Sequence, residues 1–412
     1  MASDTDGADF INKLSGLART QVKGLSAMWG MVLDQLTTSH AKAAATWTVN
    51  PEGGVTRTAD GVVVTSKELV MQVFLNAEEN YSVKGYNERA SNSIGPIYLG
   101  LDWGPEYQEQ STKANAAIMA VTRRDAFEVA LKETRAALKA LPDPAAFDIQ
   151  NISDTVLAAV CTYWFDVPDG EFVQAGGFAL SNVLPPARCP ADYTYPSAYI
   201  FHPDPDVVLT MLGERTGQML REAVGKLVAS LRTTGKQPQG VLSKAFFEAF
   251  PNPADNDLLA RVIIGAMMGM LPTVNGNLNS TVKSWQRSST FMALQGKLKK
   301  STQEDEFARA QEVIQPALEQ EMQMAPTPDA VWRTAVKAHT LGTKNPVQVN
   351  PGDKIYISIV QAMQEDLRGG ITDVCPVFGG NRHVTPHPVH ACPGIEAAMG
   401  VLLGITYGVV GQ

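Results

Sequence analysis

Six stretches of this chain, 107–139, 153–165, 205–233, 241–249, 256–293 and 303–324, place apolar residues at helical spacing and are filled with Ala, Leu, Met, Glu and Lys. A chain patterned this way buries its apolar stripes helix against helix, so the pattern predicts a mainly α fold. Proline punctuates it, at Pro185, Pro186, Pro190 and Pro196, and again at Pro251-Asn252-Pro253. Strand-like runs are few and short. They are Gly61-Val62-Val63-Val64-Thr65 and, after the turn Asn350-Pro351-Gly352-Asp353, Lys354-Ile355-Tyr356-Ile357-Ser358. A small β-region is expected beside the helices. The sequence shows no internal repeat, no low-complexity segment and no long linker, so residues 1–412 are read as one domain. Within 1–40, Phe10, Ile11, Leu14, Leu17, Val22, Leu25, Met28, Trp29, Val32 and Leu36 form an amphipathic helical stripe over 8–36. Packing on the protein's own core or on a partner is the ordinary fate of such a stripe; peripheral membrane contact is the alternative.

A chain of 412 residues has enough material to bury a core and still enclose a pocket. Its net charge of −8, with Lys and Arg scattered, leaves no electrostatic footprint for nucleic acid. The four cysteines, Cys161, Cys189, Cys375 and Cys392, contain no C-x-x-C pair. That argues against zinc and iron–sulfur sites, and four cysteines are too few for a disulfide framework. Reduced thiols and a cytoplasmic location are expected. Asp4, Asp6 and Asp9 stand where a signal peptide would carry positive charge, and no apolar run reaches bilayer-spanning length.

The segment 371–405 carries the most chemistry. Phe378-Gly379-Gly380-Asn381-Arg382 opens a loop rich in Gly, Pro and His that ends in His390-Ala391-Cys392-Pro393-Gly394, and an apolar helix is expected from Ile395 to about Ile405. Pro393 suits a first helical turn, which puts Cys392 at a helix N-terminus, where backbone N–H groups favour a thiolate. Thiolate is the form that binds iron. Cys392 read blandly is a buried core cysteine, and Cys375 in Val374-Cys375-Pro376 is its rival as ligand. His383, His387 and His390 fall at one-helix-face spacing, but Pro386 and Pro388 break that helix, which weakens a separate metal site.

At this loop the sequence resembles the cytochrome P-450 proteins. His390-x-Cys392-x-Gly394 with its apolar helix is similar to the end of their F-G-x-G-x-H-x-C-x-G pattern, and Phe378-Gly379-Gly380 sits about seven residues early, with Asn381–Pro388 read as an insertion. Arg333, followed by Val349-Asn350-Pro351-Gly352-Asp353-Lys354-Ile355-Tyr356-Ile357-Ser358, resembles the family's R…I-P-A-G-D-x-V-x-x-S. Val64–Val70 through Asn80-Tyr81-Ser82-Val83, and Asp102-Trp103-Gly104-Pro105-Glu106-Tyr107, also match in order, so the resemblance spans roughly 60–405. It implies a P-450-like fold holding heme b (iron protoporphyrin IX) through Cys392. It also implies propionate contacts from His390 and Arg333, and close approach of the porphyrin at Gly394. The implied activity is oxygen insertion into, or rearrangement of, a hydrophobic small molecule.

Three family motifs are altered. The distal A-G-x-D/E-T-T reads Met268-Gly269-Met270-Leu271-Pro272-Thr273, with Gly269 on the cofactor side. Leucine and proline cannot carry the two protons that dioxygen activation needs, whereas peroxide brings its own. Peroxide use is therefore expected, with no electron donor; the dioxygen alternative needs a ferredoxin-type partner. Thr273 is the candidate catalytic hydroxyl. Asn275 and Asn277 are candidates for a second reading, a fatty-acid hydroperoxide isomerase or dehydratase. A heme sensor or carrier without turnover is a third. E-x-x-R becomes Gln320-x-x-Gln323, and H-x-x-x-R becomes Tyr107-x-x-x-Ser111, with Lys113 nearby as a cofactor-binding candidate. Met267, Met268 and Met270 fit core filling and pocket lining equally well.

Overall fold

The structure is a computed structural model that describes residues 47–49, 51–167, 190–205, 207–382 and 390–412. The amphipathic stripe 8–36, Cys189, His383 and His387 lie outside the described residues.

Fourteen described helices carry the fold. The first half holds α1 Lys67–Leu75, α2 Lys84–Ala90, α3 Pro105–Met119, α4 Arg123–Lys139, α5 Ile149–Phe165, α6 Thr194–Ala198 and α7 Val207–Thr234. The second holds α8 Val241–Ala249, α9 Asn256–Arg287, α10 Thr290–Lys300, α11 Glu306–Val313, α12 Gln315–Met324, α13 Ile359–Arg368 and α14 Ile395–Val410. Strands β1 Val55–Arg57, β2 Val62–Val64, β3 Tyr81–Ser82, β4 Ala330–Ala335 and β7 Lys354–Ser358 form one sheet in the order β1-β2-β7-β4-β3, and β5 His339–Leu341 pairs β6 Val347–Val349. Only β2 and β7 run parallel; the other neighbours are antiparallel.

Local chemistry breaks three of the expected helices. The 107–139 stretch splits because Thr122 caps α4, its hydroxyl accepting from Asp125 N at 3.1 Å. The 303–324 stretch divides into α11, capped by Asp305, and α12, whose first turn holds a proline. The 256–293 stretch ends as α9 at Arg287, where Ser288 turns extended. Helices α1, α2 and α13 were missed by periodicity. They have seven to ten residues, two to three turns, over which a helical period repeats too few times to stand out, although α13 is clearly amphipathic.

Two helices position the site. Helix α9 is apolar over most of its circumference and runs through Pro272 as one helix, although Pro272 offers no N–H to Met268 O. By length and composition the run Pro253–Arg287 would cross a membrane, but most of its apolar window is buried within the protein. Helix α14 extends past the expected Ile405 to Val410 and lies hard against α4. Gly400, Gly404 and Gly408 form the contact stripe: an added Cβ would come within 2.3 Å of Arg123 O at Gly400 and 2.6 Å of Phe127 O at Gly404. Arg123 closes the start of this contact with a bidentate pair to Glu396, both bonds 2.9 Å. The start of α14, next to Cys392-Pro393-Gly394, is thereby fixed against α4.

Candidate functional site

A cavity of about 360 Å³ opens between α9 and the loop that precedes α14. Its wall is almost entirely apolar, with Phe74, Ile97, Trp164, Phe165 and Phe201 among the large side chains. Phe201 is held by a grip on four successive carbonyls. Arg89 donates to Ile200 O (3.3 Å) and His202 O (2.6 Å), Trp332 Nε1 to Phe201 O (3.2 Å), and Lys354 Nζ to Pro203 O.

The structure brings Cys392, His390, Arg333, Gly394, Gly269, Thr273 and Asn277 together around this cavity. The interrupted loop is restored in space. Cys392 N donates to Phe378 O at 2.7 Å, and a Cβ on Gly379 would lie 3.3 Å from His390 O. Phe378 and Gly379 thus sit against His390–Cys392 despite the extra residues between them. Pro393 lies in the turn before α14 and not in its first helical turn; Gly394 is the N-cap. The group that reaches the sulfur is Gly394 N, 3.3 Å from Cys392 Sγ.

That N–H and the nearby Arg382 both favour a thiolate, yet burial outweighs them and pushes the Cys392 thiol above its ordinary value. The expected backbone N–H is present and acts toward the thiolate, but burial acts the other way and is the larger effect. Desolvation favours the protonated sulfur. The rival Cys375 is also pushed up, to about 12, by burial and then by Asp373, and it does not line the cavity.

The cavity floor collects positive charge. Burial first, then Arg333 and Arg382, drive His390 down to about 3, so it is neutral across the ordinary pH range. His390 Nδ1 is buried with no hydrogen-bond partner. Arg333, brought from β4, spends one N–H on Trp332 O at 2.7 Å. Arg382 clamps Ala391 O, its Nε at 2.9 Å. No carboxylate lines the cavity among the described residues. Two guanidinium groups and an orphaned imidazole nitrogen beside an apolar slot fit a flat apolar group that carries its own carboxylates. Glycine supplies the clearance. A Cβ on Gly269 would meet nothing within 4 Å, and one on Gly394 would meet Ile118 Cγ2 at 3.6 Å and Cys392 Sγ at 3.7 Å, both ordinary contacts.

Arg382 is the residue that sequence reasoning missed as a site group. It stands inside the insertion, where no family position points to it; its one signal was a lone cation flanking the loop. Tyr107 is 3 % exposed and packs edge-on to the His390 ring, centroids 4.9 Å apart, behind the cavity and not in its lining. Lys113 does not join the site: it is half-buried, pairs with Glu109 at 2.8 Å and lies over the Phe250 ring.

The distal register shifts by one residue. Leu271 and Pro272 do not line the cavity, whereas Gly269, Met270 and Thr273 do. Thr273 Oγ1 donates to Gly269 O at 2.6 Å, four residues back. Met268 also lines the cavity, while Met267 is plain core. Asn277 lines it too, but its amide is fully engaged. Nδ2 donates to Thr273 O and Thr327 O, and Oδ1 accepts from Thr327 N at 3.0 Å. Asn275 belongs elsewhere: it donates to Asp154 at 2.7 Å and accepts from Ser153, bridging α9 to α5. Gln320 is exposed, and Gln323 donates instead to Ile371 O at 3.0 Å, so the two amides do not replace an ion pair.

This arrangement is the cytochrome P450 fold, and the chain is a divergent example of it. Among solved structures it is similar to the P450 enzyme CxnD, described for C–S bond formation in chuangxinmycin biosynthesis, at 16 % identity and a TM-score of 0.60, over 90 % of this chain and 84 % of that one. It is similar to a mutant of P450 EryK in complex with erythromycin B, at 15 % identity and 0.60, over 93 % and 89 %. It is also similar to P450BioI in complex with an acyl carrier protein bearing hexadec-9Z-enoic acid, at 11 % identity and 0.62, over 86 % of each chain. No protein-family model and no curated protein sequence matches the chain.

Proposed function

We propose that this chain is a single-domain heme-thiolate oxidoreductase, with Cys392 as the iron ligand, acting on a hydrophobic organic molecule. One observation carries the reading: a cysteine sulfur with a backbone N–H on it borders an apolar cavity lined by Arg333 and by His390, whose Nδ1 is unpartnered, with the charge of Arg382 felt from behind that wall. Heme b suits that floor, its propionates answering the cations and its macrocycle the clearance at Gly269 and Gly394. Bound there, the iron would supply reactive oxygen for insertion into, or rearrangement of, the substrate. The protein's own part is to fix the sulfur, orient the substrate against α9 and exclude water. A cytoplasmic location is part of this proposal, and Cys375 and Cys392 as free thiols accord with it.

Peroxide is the proposed oxidant. Thr273 presents the hydroxyl nearest the centre of α9, but Pro272 stands beside it, and no acid lines the cavity among the described residues to refill that hydroxyl with protons. A ferredoxin-type partner belongs to the dioxygen reading. The hydroperoxide isomerase reading is not favoured, because Asn277 has both amide hydrogens committed and Asn275 faces α5. The test is the reduced, carbon-monoxide-bound spectrum of the heme-loaded protein. A thiolate signature that disappears in Cys392→Ala and survives in Cys375→Ala supports the proposal. Absence of heme uptake, or a signature surviving in Cys392→Ala, refutes it.

A further inference from the structure

Three aromatic side chains form a line from the cavity to the protein surface. Tyr98 borders the cavity and is 3 % exposed. Its ring centroid lies 6.4 Å from that of Tyr107, and Tyr107 lies 5.9 Å from Trp103. Trp103 is 52 % exposed, an unusual position for so large an apolar side chain. The line is rigidly mounted. Asp102 accepts from Ser82 Oγ at 2.8 Å and from Val83 N at 2.8 Å, which fixes the turn that carries Trp103. Tyr98 donates to Asn115 Oδ1 at 3.2 Å, and Arg382 and Ser111 hold the Tyr107 phenol.

Tyrosine and tryptophan are the side chains most readily oxidised by one electron. Electron tunnelling weakens exponentially with distance, so two short steps between rings outrun one long step. Simple core packing accounts for Tyr98 and Tyr107, but it does not account for an indole left half in water at the end of the line.

We propose that Trp103 is a surface oxidation site, joined to the cavity through Tyr98 and Tyr107, at which bulky phenolic or aromatic-amine donors are oxidised by one electron. The proposal rests on the heme-thiolate reading above and adds a second activity to it. Hydrogen peroxide is the oxidant: reduced in the cavity, one molecule takes two electrons and two protons and leaves as two waters. Each electron comes from Tyr98, which recovers it from Tyr107, which recovers it from Trp103. Trp103 sheds its indole proton to water and is restored by a phenol that loses one hydrogen atom. Two phenols are oxidised for each peroxide, and the protein ends unchanged. With no donor present, both electrons come from one Trp103 indole, which adds the oxygen of a water and sheds two protons, so that one peroxide leaves one hydroxylated indole and one net water.

The test uses the heme-loaded protein with hydrogen peroxide and no organic substrate, followed by peptide mass spectrometry. Oxygen atoms added at Trp103, and none at Trp103 of the heme-free protein under the same peroxide, are expected. A phenol tethered to a polymer too large for the cavity provides the second readout. Its oxidation should fall to the heme-free level in Trp103→Phe and persist in Trp103→Tyr, with the reduced carbon-monoxide spectrum the same in both variants. The proposal is overturned if Trp103 stays unmodified while peroxide is consumed, if the heme-free protein is modified equally, or if Trp103→Phe still oxidises the tethered phenol. Failure of heme uptake would overturn the underlying reading as well, and the spectrum distinguishes that case from the others.

Discussion

Removing the titrating ring at His390, with the aromatic packing kept, isolates the cost of the charge-rich floor in the protein without heme. The perturbation is His390→Phe, which preserves the edge contact with Tyr107 and deletes a nitrogen that has no partner. In the folded chain His390 sits near 3, against 6.5 for a free histidine. The sign follows from proton counting: below 6.5 the unfolded chain binds a proton that the folded chain refuses, so acid favours unfolding. The stability that comes from keeping this histidine neutral is whole above 6.5 and is lost progressively as pH falls from there toward 3. At about pH 5 the loss from this one group amounts to about 2 kcal/mol relative to about pH 8. The assay is urea unfolding of the heme-free wild type and His390→Phe at both pH values. Carboxylates and the other histidines titrate in both proteins and cancel in the difference, so the wild type should lose about 2 kcal/mol more than the variant. Equal losses would show that His390 does not face Arg333 and Arg382 in an enclosed site, and the propionate contact proposed for it would fall too.

The floor should also govern cofactor retention. Arg333→Ala and Arg382→Ala should each weaken heme binding by roughly 10- to 150-fold in competition with apo-myoglobin, as expected for loss of a charge-assisted hydrogen bond of about 1.5–3 kcal/mol, while Lys113→Ala should leave it unchanged. Gly269→Leu should raise thermal stability slightly, by up to about 1 kcal/mol from helix propensity. It should also abolish binding of bulky aryl-imidazoles while imidazole itself still binds; retention of both ligands would mean that the α9 face is not the cavity wall. Substrate oxidation should be faster with hydrogen peroxide than with dioxygen and a surrogate ferredoxin couple. Efficient dioxygen turnover that disappears in Thr273→Val would refute the peroxide assignment and restore the reductant-dependent one.

The sequence alone determined the parts of this protein that depend on short-range chemistry. Helical periodicity marked α8 at Val241–Ala249 and most of α5, α7 and α9, because an apolar stripe must be buried wherever it lies. Strand β7 was legible at Lys354–Ser358 from its β-branched run behind a Pro-Gly turn. Cys392, His390 and Gly394 could be singled out because their spacing is local. What only the tertiary structure decided is which distant residues meet. Arg382 comes against Ala391 O, and Phe378 O against Cys392 N, although the insertion separates them along the chain, a closure that spacing cannot express. Thr273, and not Pro272, faces the cavity because the rotation of α9 is set by its packing against its neighbours, and one residue turns a helix by about 100°. Lys113 and Asn275 stood at plausible positions in the sequence and point elsewhere, toward Glu109 and Asp154. The protonation of Cys392 was also undecidable from the chain. A helix terminus favours thiolate and burial opposes it, and the balance depends on how completely the folded loop excludes water.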